Sequence, residues 1–207
     1  MGIFRITVFL CYNFYVRKTH FSKQSTYAVS LYFDEFSSEA ISQIVTALAK
    51  CTENYYLCEN FVPPHLTLGM FHATNTNFLK LNKSFFDFSK SISQVFDISF
   101  SGADSFREKV IFLGVKDCEL LRNLNLFLHK KFFDFEVGGN RNYLPEKFFP
   151  HVALAVKLNK YQFSKGISNL PFIKLPDSAR IESLVFAKCH PYDEISRILF
   201  NSPNVEF

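Results

Sequence analysis

The chain has 207 residues, 48% of them hydrophobic and 20% charged, enough apolar side chain for one domain or two small fused lobes and too much for a disordered tail. Its net charge of +4 comes without a concentrated Lys/Arg run, which argues against a duplex-DNA binder and leaves a small anionic substrate open. Seven Gly and eight Pro exclude a collagen-like or linker-dominated chain, and the 27 Phe with no Trp read as nucleotide bias in the coding sequence. The five cysteines (Cys11, Cys51, Cys58, Cys118, Cys189) are odd in number, far apart and without a C-x-x-C pair. They fit reduced thiols in a cytosolic compartment better than a disulfide framework or zinc ribbon.

The first stretch, Ile3 to Val16, is mostly apolar but interrupted by Arg5 and Asn13, too short to cross a bilayer comfortably. No basic segment precedes it and no clear small-residue cleavage site follows it. Thr7 falls one place late for a myristoylation signal. Residues 1–25 are therefore expected to form a poorly packed extension ahead of a domain over 26–207, with a peripheral membrane anchor as the minority alternative.

From Thr26 onward two similar halves follow. Tyr27 to Phe33 alternates like a strand, and Ser37 to Lys50 carries Ala40, Ile41, Ile44, Val45, Leu48 and Ala49 at helical spacing, with Ser37 as the expected N-cap. A connection then leads to Pro63-Pro64-His65-Leu66-Thr67-Leu68. Phe78, Leu81, Phe85, Phe88 and Ile92 predict another amphipathic helix, and Phe96 to Ser101 a strand, with a turn over Gly102 to Phe106. The second half opens with a strand over Lys109 to Val115. A helix over Asp117 to Phe132 follows, whose apolar face is Leu120, Leu121, Leu124, Phe127 and Leu128, and then comes Pro150-His151-Val152-Ala153-Leu154. Lys160 to Leu170 and strands over Ile181 to Ala187 and Ile195 to Phe200 complete it.

Strand, helix, connection and Pro-His strand thus occur twice, with His65 lying 38 residues after Tyr27 and His151 lying 42 after Lys109. The order predicts an α+β protein of two pseudo-symmetric lobes, with mainly antiparallel sheets facing a central cleft and helices outside. Ligand would bind in that cleft. Proline cannot donate to a ladder and favours strand starts, so Pro64 and Pro150 put both imidazoles at strand mouths. Side chains alternate along a strand, so Thr67 projects beside His65 while Leu66 and Leu68 enter the core. One Pro-His match is ordinary packing, but two at equivalent places are not.

The duplicated His-x-Thr/Ser-x pattern resembles the 2H phosphoesterase superfamily, which contains 2′-5′ RNA ligase-like proteins, cyclic nucleotide phosphodiesterases and RNA 3′-end processing enzymes. The first motif is intact as His65-Leu66-Thr67-Leu68. The second reads His151-Val152-Ala153-Leu154 and lacks the hydroxyl. The likeness spans roughly Tyr27 to Phe200. It implies acid–base catalysis by His65 and His151, with no metal and no cofactor, on 2′,3′-cyclic phosphate or 2′-5′ linked RNA or nucleotides; by analogy His151 would be the base and His65 the acid. Such chemistry suits imidazole, which titrates near neutrality.

Thr67 would hold a phosphate oxygen, with Lys157, Arg107 and Arg141 as further phosphate contacts and Phe106, Tyr143 and Phe148 as base-stacking candidates. The missing donor at Ala153 leaves three outcomes open: weak activity, an altered substrate, or a replacement donor from a backbone amide or Lys157. The partners expected are RNA ends or small nucleotides with cyclic or 2′-linked phosphate, not duplex DNA or membrane. The protein is expected to be monomeric and cytoplasmic. A non-catalytic nucleotide- or RNA-binding module on the same scaffold is the alternative that Ala153 keeps in play. His20 and His72 read as loop residues, and His129 as a helix-end residue.

Overall fold

The computed structural model describes residues 24–138 and 141–201. Most of the expected 1–25 extension lies outside the described residues, and its last residue, Ser25, already opens the first strand. In chain order the elements are β1 (Ser25–Phe33), α1 (Glu35–Thr52), a short α2 (Tyr56–Glu59), β2 (His65–Ala73), α3 (Phe78–Ser89), β3 (Phe96–Phe106) and β4 (Val110–Val115). There follow α4 (Glu119–Lys131), a two-residue β5 (Glu136–Val137), β6 (His151–Ala155), α5 (Lys160–Asn169), β7 (Ser178–Cys189) and β8 (Tyr192–Leu199).

The strands join in one eight-stranded sheet in the order β1–β2–β6–β4–β3–β7–β8, with β5 on β2 and an additional β1–β7 pairing. Every pairing between these strands is antiparallel. The predicted α+β class with two antiparallel halves and outer helices is what the chain forms. The halves are joined through β7, whose start pairs with β3 over Ser178–Ile181 and whose remainder pairs with β1 and β8. They also meet where β2 touches β6, at the single register point Leu66–Val152.

One face of the sheet carries the core. Val29, Leu31, Leu66, Leu68, Val152, Leu154, Ile111, Leu113, Leu184 and Phe186 are all buried beneath the helices, each worth roughly 1.5–3 kcal/mol relative to exposure. Helices α1 and α5 cover β4 and β6, and α4 covers β2. Phe186 stacks against Phe78 and Phe85 of α3. Because Leu66 and Val152 both point into this core, their chain neighbours His65, Thr67, His151 and Ala153 must all emerge on the opposite face.

Several local expectations are corrected. Asp34, not Ser37, caps α1: its carboxylate accepts the Ser37 backbone N–H at 2.9 Å, satisfying a donor that the first turn leaves without an intrahelical partner. Strand β3 runs through Gly102–Phe106, and the turn falls at Arg107 and Glu108, both at positive φ (49° and 55°), closed by Lys109 N–H to Phe106 O at 2.9 Å. The buried face of α4 is Leu121, Leu124, Asn125 and Leu128, while Leu120 and Phe127 turn outward. His72 lies within β2, where its Nδ1 meets the Thr26 hydroxyl at 3.0 Å.

Candidate active site

Both motif histidines are the first residues of their strands. Each bends its ring back to its own chain in the same way. His65 Nδ1 donates to the Pro63 carbonyl at 2.8 Å and His151 Nδ1 donates to the Phe149 carbonyl at 2.8 Å. A carbonyl can only accept, so both rings hold a proton on Nδ1 and present Nε2 outward. The neutral form then offers a lone pair at Nε2, and the protonated form offers a proton there.

The Leu66–Val152 pairing sets the relation between the motifs. Continued in antiparallel register, it puts Thr67 across from His151 and Ala153 across from His65. The two histidines become diagonal neighbours on one face, a relation that in antiparallel sheets corresponds to roughly 7–8 Å. Electrostatics agrees with this placement. Burial holds the His151 imidazolium below its usual range, and the charge of His65 lowers it further. Burial likewise lowers His65, partly offset by its bond to Pro63.

On the β2 side the wall is built from β1 and β8. Tyr32 pairs in register with His65, and its ring stacks on the imidazole with centroids 5.6 Å apart. The Tyr32 and Tyr192 hydroxyls are 2.9 Å apart, and the Arg197 guanidinium lies over the Tyr32 ring at 5.1 Å. Arg197 is held by Glu194 through two hydrogen bonds of 2.9 and 2.7 Å. Ser30, the register partner of Thr67, donates to its hydroxyl at 3.4 Å. On the β6 side the wall is aromatic. Phe106 and Phe112 meet His151 edge-on at 5.0 and 5.2 Å, and Phe149 packs on both phenylalanines. Tyr143 lies nearly parallel to His151, 12° apart with centroids at 6.3 Å.

Of the residues singled out in the sequence, His65, Thr67, His151, Phe106 and Tyr143 come together. Arg107 follows Phe106 at the tip of the β3–β4 hairpin, and Arg141 stands two residues before Tyr143; both are exposed. Lys157 is separated from the site. It lies beyond the far end of β6, six residues from His151, with its ammonium 3.8 Å from the centre of the Tyr56 ring. Phe148 packs against the core rather than standing in the cleft. His129 is satisfied at the end of α4, its Nε2 donating to the Tyr143 carbonyl at 2.7 Å.

Sequence reading missed Tyr32, Ser30, Tyr192, Arg197, Phe112 and Phe149. The alternation that places Thr67 beside His65 would have put Ser30 and Tyr32 on one face of β1, but the registers linking β1 to β2 and β7 to β8 have no local signal. Among the described residues no three His, Cys, Asp or Glu side chains converge as a metal-ligand set. No helix there is long and apolar enough to cross a membrane.

No curated protein sequence matches the chain, but solved structures match it in fold at low identity. LigT of Escherichia coli complexed with 3′-AMP aligns with a TM-score of 0.54 and 15% identity, covering 86% of this chain and 99% of that one. The apo form of E. coli LigT gives 0.54 and 17%, covering 87% and 99%. The protein TT0787 of Thermus thermophilus gives 0.52 and 14%, covering 86% and 100%. The family model of the 2′-5′ RNA ligase superfamily matches residues 29–190, taking in both histidine motifs. With most of its length matched by that family model and both histidine-bearing strands inside the match, the chain belongs to the 2′-5′ RNA ligase superfamily.

Proposed function

We propose that the protein is a phosphodiesterase or RNA ligase-like enzyme that acts on 2′,3′-cyclic phosphate or 2′-5′ linked RNA or nucleotides, with His65 and His151 as its proton carriers. The observation that carries this reading is the twin anchoring of the two rings. Each Nδ1 is committed to a carbonyl two residues back, so both Nε2 atoms are held ready on one face.

In hydrolysis of a cyclic phosphate, Nε2 of one neutral imidazole takes a proton from water as the water oxygen bonds to phosphorus. The bond from phosphorus to one ribose oxygen breaks, and the other histidine, as imidazolium, gives that oxygen its Nε2 proton. Ligation would put a 5′-hydroxyl in place of water. We assign His151 as base and His65 as acid. A bound phosphate anion between the rings favours the protonated form of the acid, opposing the burial that keeps both neutral in the free protein. Thr67 donates to a non-bridging oxygen. Arg107 and Arg141, on the exposed segments flanking the cleft, attract the polyanion, and Phe106 offers an aromatic edge to a base.

Ala153 favours a second reading, a nucleotide- or RNA-binding module without turnover, because one motif hydroxyl is missing. The test is incubation of metal-free protein with 2′,3′-cyclic nucleotides and 2′-5′ linked dinucleotides. Wild type should turn over at least one class, and His65→Ala and His151→Ala should each lose about 10²–10⁴-fold. Equal residual rates in all three proteins would overturn the enzymatic reading, and binding without turnover would establish the second.

A further inference from the structure

His65 and His151 share an anchor and differ in their brace. In each, the Nδ1 bond to a carbonyl two residues back fixes one edge of the ring. That bond alone leaves the ring free to swing about it, because the outer torsion of a histidine side chain has only broad preferences. A second contact, flat against the ring face, fixes the plane and with it the direction of Nε2. His65 has this contact in Tyr32, its register partner on β1, with 5.6 Å between centroids and 22° between planes. The corresponding place opposite His151, on β4, is Gly114, which has no side chain to stack. There Phe106 and Phe112 meet the imidazole edge-on, and Tyr143 lies farther off at 6.3 Å.

Tyr32 is itself held. Its side chain is buried, and its hydroxyl, which burial obliges to find a partner, meets the Tyr192 hydroxyl at 2.9 Å. The Arg197 guanidinium lies over the ring at 5.1 Å, an attraction between a cation and a π face. Glu194 fixes Arg197 in turn by accepting two hydrogen bonds of 2.9 and 2.7 Å. Tyr192, Glu194 and Arg197 all belong to β8. The brace therefore runs from β8 to a ring on β1 and from that ring to the imidazole on β2.

We propose that Tyr32 is a positioning residue for His65: its ring, locked from β8, holds the imidazole plane so that Nε2 faces the phosphate. The consequence for rate rests on the phosphodiesterase reading above, whereas the placement of the imidazole is a property of the free protein. It makes β8, which carries neither motif, a support of the site.

The experiment compares wild type, Tyr32→Phe and Tyr32→Leu, all assayed well below the midpoints of their thermal melts. Phenylalanine keeps the ring and gives up only the hydroxyl, and leucine fills space without a flat face. NMR of the ring nitrogens at about pH 8, where both imidazoles are neutral, reads the tautomer of each histidine. Steady-state kinetics on whichever probe the wild type turns over reads kcat and KM separately. In Tyr32→Leu the expected result is mixed tautomers at His65, an unchanged Nδ1–H tautomer at His151, KM within threefold of wild type, and a kcat lowered at least tenfold, toward the roughly 10²-fold that a misplacement of about 1 Å costs. Tyr32→Phe should keep the tautomer and stay within threefold in both constants. An unchanged His65 tautomer in Tyr32→Leu would overturn the proposal. So would a kcat loss under tenfold, a loss as large in Tyr32→Phe as in Tyr32→Leu, or mixed tautomers at both histidines, the pattern of general loosening. Absence of turnover in the wild type on every probe would count against the enzymatic reading, while a tautomer change confined to His65 would still uphold the placement.

Discussion

Thr67 stands across the β2–β6 seam from His151, the histidine of the other motif, as Ala153 stands across from His65. Each motif therefore sends its third residue to its partner's imidazole, and the two sites of substitution are not equivalent. Thr67→Ala removes the hydroxyl beside His151 and the acceptor of the Ser30 hydroxyl, so kcat/KM should fall by about 10²–10³-fold. Ala153→Thr supplies the hydroxyl that the second motif lacks and should raise it. Steady-state kinetics on a 2′,3′-cyclic nucleotide measures both.

The charge of His65 lowers the readiness of His151 to protonate, and this can be read directly. His151 is held below the ordinary histidine value of 6.5 first by burial and then by His65. In His65→Gln the second cause vanishes, so the His151 pKa should rise, as followed by NMR titration of the ring carbon-bound protons. An unchanged value would mean that the rings do not face a common space. Because both free-protein values are lowered, the form with one proton shared between two histidines is most populated below pH 6.5. The maximum of kcat/KM should lie on that acid side, whereas kcat, set in the phosphate-bound complex, should hold to higher pH.

Stability carries the same sign. His65, His129 and His151 all have folded values lowered chiefly by burial, so below about pH 6.5 the unfolded chain binds protons that the native chain refuses. Stability is then full above that value and declines as pH falls through it toward the lowered native values. Thermal melts between pH 7.5 and 5.5 should show this decline, and His129→Gln should flatten it.

Asn125 is a buried amide whose two protons serve Leu68 and Tyr143. Asn125→Ala leaves at least one of those carbonyls short of a partner and should cost about 2 kcal/mol in urea denaturation. Activity should fall further than stability alone explains, because the Tyr143 connection loses its anchor to β2. Tyr32→Phe is the contrast. It keeps the stack on His65, breaks only the hydroxyl pair with Tyr192, and should cost about 1 kcal/mol with activity within threefold of wild type.

Much of this was readable in one dimension. The 3.6-residue spacing of Ile41, Ile44, Val45 and Leu48 located α1, and the two Pro-His steps located β2 and β6, because hydrophobic period and proline chemistry are local properties. What was not readable came from neighbours distant in sequence. Asn125 sits on the buried face of α4 because two carbonyls wait there, and no hydrophobic count could place an amide in that role. The hairpin turn fell at Arg107–Glu108 although neither residue is a glycine, and the strand simply ran through Gly102. Tyr32 and Arg197 reach the site through the pairings of β1 with β2 and of β7 with β8, which are decided only when the whole sheet assembles. Lys157 looked close to His151 in number, but an extended strand carries residues apart by about 3.3 Å each.

Strand β7 gives up its first residues to β3 and the rest to β1 and β8, and so works as a tie beam spanning both halves. Rotation of one half against the other would have to tear that beam out of its ladders. The strands that carry the two imidazoles, β2 and β6, thus belong to one continuous run of ladders, and the spacing of the rings is written in strand register.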